Sequence, residues 1–175
     1  LTAMVGGLPL SQAPTALLWW VGLGLGGVLI VLVMVGEYIS IASEDYRRPL
    51  AAAGLTALAF VLNLVLATML RYSGARLFLV LPSLSLAAGL TALRVLNLRL
   101  HGSWLVYEAG LIAVLVGQVG AAFYYLPLSA LSFGTLVLGV NYALVSLFIN
   151  LIEDKPIRRV ILSSTLIIIA AVGFA

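Results

Sequence analysis

The chain has no cysteine and one histidine. Without a thiol there is no disulfide framework, no thiolate nucleophile and no Cys-ligated zinc or iron–sulfur cluster. The single histidine, His101, cannot build a bis-histidine haem site or a histidine-rich metal site, and Met4, Met34 and Met69 are not grouped around it. Charge is also scarce: nine basic and six acidic side chains are spread over 175 residues. A net charge of +3, so dispersed, makes none of the basic stripes that nucleic acid requires. No His-Glu-x-x-His helix, Gly-x-Ser-x-Gly elbow or P-loop is present.

Two acidic pairs, Glu44/Asp45 and Glu153/Asp154, have the form of a magnesium–phosphate site. Each is followed closely by a basic pair, Arg47/Arg48 and Arg158/Arg159. Self-neutralised interfacial loops explain them better, and the arginines are candidates for anionic lipid headgroups. The expectation is a chain with no catalytic residue, no metal, no cofactor and no nucleic-acid partner.

What the chain does have is apolar surface. A hydrophobic share of 63% and a mean hydropathy of +1.22 exceed what a water-exposed fold can cover with so few charges. The fold class expected is an all-α integral membrane protein, a single domain of about six spans with short loops. The spans read as 15–36, 50–70, 77–96, 104–126, 128–152 and 157–175, with Glu37 closing the first and Pro49 starting the second in its first turn. Pro82 falls inside the third, where neighbouring helices can serve the freed carbonyl. The stretch 1–14 is apolar but broken by Gly6, Gly7, Pro9 and Pro14, and reads as irregular. It lacks the basic start and cleavage site of a signal peptide, which predicts that the first span is a retained anchor.

Orientation follows from the basic residues of alternate connections. Arg47, Arg48, Arg94, Arg99, Lys155, Arg158 and Arg159 lie in or beside the first, third and fifth, against Arg71 and Arg76 on the other side. Loops 37–49, 97–103 and 153–159 are therefore predicted to be cytoplasmic. Arg94 in the last turn of the third span and Glu108 early in the fourth both suit the helix dipole.

Lipid supplies no hydrophobic force between helices, so small residues must let backbones approach. Ala109, Ala113, Gly117 and Ala121 recur every fourth residue along the fourth span, and Gly22 and Gly26 form a GxxxG pair in the first. Three amides, Asn63, Gln118 and Asn141, fall near one depth in three different spans. They read either as mutual hydrogen bonds that set helix register or as a midplane polar site, with Tyr142 and Ser83 or Ser85 as further members.

The function expected on these grounds is non-catalytic: an accessory, assembly or scaffold subunit that packs against other membrane components or itself within the lipid bilayer. The rival is a small transporter or permease using the midplane amides. It is weakened because spans one to three and four to six show no inverted repeat.

Overall fold

The structure, a computed structural model, describes residues 16–41, 48–99 and 105–152 and the single positions 165, 166, 170 and 173. The described chain is helical throughout, and five of its helices are long and apolar enough to cross a membrane. They are α1 (Ala16–Ile41), α2 (Arg48–Tyr72), α3 (Leu77–Arg99), α4 (Val106–Tyr124) and α5 (Ala130–Ile152). The expected irregular segment 1–14 lies outside the described residues, and so does most of the expected sixth span.

The helix ends follow local chemistry and correct several expected boundaries. Glu37 does not end α1, which runs on to Ile41. Tyr38, Ile39, Ser40 and Ile41 offer no proline or glycine to break it, and glutamate is itself a good helix former. Pro49 sits in the first turn of α2, where its missing N–H has no partner to lose. At the other end of α2, the Ser73 N–H donates to Met69 O at 2.9 Å, and Gly74 takes φ 63°, a left-handed conformation open to a residue without Cβ. α3 absorbs Asn97 and continues to Arg99, so Arg99 takes the last-turn position and Arg94 lies further inside the helix. Glu108 holds the first turn of α4 as expected from the dipole.

α3 continues through Pro82. The proline cannot donate to the Phe78 carbonyl one turn back. Beside it, the Ser83 hydroxyl donates to Leu79 O at 2.8 Å. α5 begins two residues later than expected because Ser129 is its cap. The Ser129 Oγ accepts the Ser132 N–H at 3.1 Å, and Phe133 N–H donates to Ser129 O at 2.9 Å.

Two compact units divide the chain, residues 1–62 and 63–175, with the boundary inside α2. In the first, Gly36 of α1 lies against Leu55 of α2. A Cβ on Gly36 would stand 3.2 Å from the nearest Leu55 methyl carbon. None of the α1 residues 20–39 is buried.

The second unit holds the core. α3 packs most extensively on α4, and α5 touches both. Val80, Leu84, Ala88, Ala92 and Leu96 of α3 are buried with Ile112 and Val116 of α4 and Phe133, Val137 and Val145 of α5. Small residues bring α3 and α4 together: a Cβ on Gly89 would stand 3.0 Å from that of Ala113, one on Gly117 would collide with the Ser85 hydroxyl, and one on Gly120 would come within 3.1 Å of Leu84. Each step back along α3 is matched by a step forward along α4, so the two run antiparallel. The same device joins α5 to the second half of α2, where Gly134 lies against Thr68 and Leu64.

Candidate functional site

The α4 stripe expected from sequence divides by position. Ala109 and Gly117 are buried, while Ala113 and Ala121 are half-buried. Ala113 and Gly117 face α3 at the contacts just described, and the Ala109 carbonyl stands 3.7 Å from where a Cβ on Gly89 would be. In α1, Gly22 and Gly26 are half-buried, and a Cβ on Gly26 would meet nothing within 4 Å, as for Gly24 and Gly27. Arg47, Arg158, Arg159 and His101 lie outside the described residues, and Arg48 is the first residue of α2.

The three amides do not join in one hydrogen-bonded group. Asn63 and Asn141 are buried, with 1% and 0% of their surfaces exposed, whereas Gln118 is exposed. Neither amide atom of Asn63 or of Asn141 has a hydrogen-bond partner among the described residues, so the expected mutual bonding is not formed. Asn141 lies on α5 two turns beyond Gly134, on the face that meets α2, and Asn63 belongs to the buried stripe of α2 with Ala67 and Leu70. For Gln118 the reason is rotational. Gln118 follows Gly117, but one residue turns it about 100° around α4, away from α3.

One further polar group shares the interior. Thr91 of α3 is 2% exposed, and its hydroxyl has no partner. A buried polar group left unsatisfied costs roughly 1–3 kcal/mol, so Asn63, Thr91 and Asn141 are costly places in the core. Of the residues considered as additional members, Ser83 bonds its own helix and Tyr142 is 46% exposed.

Sequence reasoning missed the best-built polar cluster, which centres on Arg71 at the end of α2. Its guanidinium donates from Nη1 to Tyr124 O at 2.8 Å and from Nη2 to Leu126 O at 3.0 Å. The guanidinium carbon lies 5.1 Å from the Tyr124 ring centre and 5.7 Å from that of Phe133. The Tyr124 hydroxyl donates back to Ala75 O at 3.0 Å, and Tyr125 stands edge-on to Tyr124 with ring centres 5.8 Å apart. Arg71 thus caps a carbonyl at the end of α4 from another helix and ties the α2–α3 turn to the α4–α5 turn. The chemistry is structural: the charge is spent on backbone carbonyls and aromatic faces. The legible signal was an arginine closing one span and a tyrosine pair closing another on the same side.

The class defined by these features is a bundle of apolar, membrane-length helices that meet through small residues, with a sealed turn region at one end and a few amides along their length. Within that class the family is known. A family model described as "Protein of unknown function (DUF5656)" matches residues 1–175, and the chain belongs to that family. No curated protein and no solved structure matches the chain significantly.

Proposed function

We propose that this protein is a multi-pass membrane component without catalytic activity, an accessory, assembly or scaffold subunit whose work is association with other helices in the bilayer. The observation that carries this reading is Gln118. It is an exposed amide on the outer face of α4, among Leu111, Val114 and Tyr125, which are also exposed. A hydrocarbon solvent offers that amide nothing to bond, and a neighbouring transmembrane helix does. The excess of lysine and arginine orients the α1–α2 connection, the α3–α4 connection and the stretch 153–159 to the cytoplasm, where the arginines in and beside them meet anionic headgroups. The test is to extract the protein from its native membrane in a mild detergent and determine the particle by native electrophoresis and mass spectrometry. A stoichiometric assembly is expected; a lone monomer overturns the reading.

A second reading, a small transporter, is favoured by Asn63, Thr91 and Asn141, three buried groups whose side chains have no hydrogen-bond partner among the described residues. Uncharged amides and a hydroxyl suit a neutral, hydrogen-bonding solute. Under this reading Asn63→Leu or Asn141→Leu abolishes solute flux into proteoliposomes. Under the association reading those variants leave the particle intact.

A further inference from the structure

The partner of Gln118 can be specified further, on the assumption that the association reading above holds. α4 has two faces. One is buried on α3 through Ala109, Ile112, Val116, Gly117 and Gly120. The other is exposed along Tyr107, Leu111, Val114, Gln118, Ala122 and Tyr125, at steps of three and four residues. Such steps make a seam of the kind along which two helices pack with a slight supercoil.

Gln118 interrupts this seam within about 5 Å of the helix midpoint, counted at 1.5 Å per residue. It cannot relieve itself by reaching the nearer helix end. Tyr124 is about 9 Å further along, and helical side chains lean toward the N-terminus, which directs this amide back toward the middle of the span. Among the described residues Gln118 remains exposed, and two turns earlier on the helix Gly110 has open space where a Cβ would be.

Copies of one membrane protein insert with the same orientation, so a two-fold axis relating two of them runs along the membrane normal. Residues on such an axis meet their own counterparts at the same depth. An amide is self-complementary there, because each glutamine offers an N–H donor and a carbonyl acceptor to the other. A single polar residue in an apolar seam also sets register, as it does in coiled coils. Neither lipid nor a purely apolar helix supplies that match. We propose that the outer face of α4 is a homodimer interface, in which Gln118 of one protomer hydrogen-bonds Gln118 of its partner.

The absence of native cysteine makes the test clean. Val114→Cys and Ala122→Cys probe the seam, and Leu90→Cys, on an exposed α3 position, is the off-seam control. Each full-length variant is oxidised in its native membrane and sized without reductant. A covalent dimer from the two seam positions and none from Leu90→Cys is expected. Adding Gln118→Leu to Val114→Cys should weaken dimerisation by roughly tenfold, two interhelical amide bonds at typical membrane strength, while Gln118→Asn should retain most of it. A monomer at both seam positions overturns the dimer, and cross-linking that Gln118→Leu leaves unchanged overturns the paired glutamines. Cross-linking of Val114→Cys to a different polypeptide overturns the second copy as partner yet leaves the association reading standing. A monomeric native particle removes both.

Discussion

Replacing Arg71 by alanine removes the cluster that joins two turns of the bundle, and the structure sets the size of the loss. Two hydrogen bonds from a cation disappear, at 2.8 and 3.0 Å, and with them two guanidinium–ring contacts. Hydrogen bonds to charged groups contribute about 1.5–3 kcal/mol each in general. Arg71 is only half-buried, and one of the two bonds is exposed, so the lower end of that range applies. The ring contacts add about 0.5–1 kcal/mol. Carbonyls at the end of a helix recover part of this by bonding water, leaving a net loss of about 2–3 kcal/mol.

Unfolding of the purified protein in mild detergent, followed by circular dichroism against added denaturing detergent, reads the difference directly. Arg71→Lys keeps the charge but not the planar fork, so it should recover about half of the loss. Tyr124→Phe removes only the bond to Ala75 and should cost about 1 kcal/mol. An Arg71→Ala protein within about 0.5 kcal/mol of the parent, the range of an ordinary surface substitution, would refute the cross-helix cap.

Further substitutions test the packing and the interior amides. Gly117→Ala places a methyl group against the Ser85 hydroxyl and should destabilise the bundle by about 1–3 kcal/mol, whereas Gly117→Ala with Ser85→Ala should recover most of it, since the Ser85 Cβ itself stands 3.4 Å away. Absence of rescue in the same unfolding assay would mean that α3 and α4 do not meet at that pair. Gly134→Ala should resist such rescue, because the Leu64 carbonyl as well as Thr68 stands in the way, at 3.3 Å. Asn141→Leu replaces an amide without protein partners by an apolar group and should raise stability by about 1–3 kcal/mol. A fall in stability would show that the amide is bonded in the folded protein.

Much of the fold was legible because it is local. Runs of Leu, Val, Ala and Ile long enough to span a bilayer, the Arg71–Arg76 turn and Pro49 in a first turn all act within a few residues. The boundaries that moved did so for equally local reasons: Glu37 does not break an apolar helix, and Ser129 caps α5 and delays its start. The spacing of Ala109, Ala113 and Gly117 puts them along one side of α4 whatever they meet, and in the structure that side lies against Gly89 and Ser85.

Which helix meets that stripe depends on tertiary structure alone, and so does the division of the three amides. Asn63, Gln118 and Asn141 are alike in chemistry and each lies near the middle of its helix, yet two are buried in the core and one is exposed. Depth is set by position along the chain, which sequence states. Facing is set by where neighbouring helices stand, and an apolar span is hydrophobic all round, leaving no polar stripe to mark its outer side. Arg71 makes the same point from the opposite direction. Its partners at Tyr124 and Leu126 are 53 and 55 residues away, and only the antiparallel return of the chain brings those carbonyls to the guanidinium.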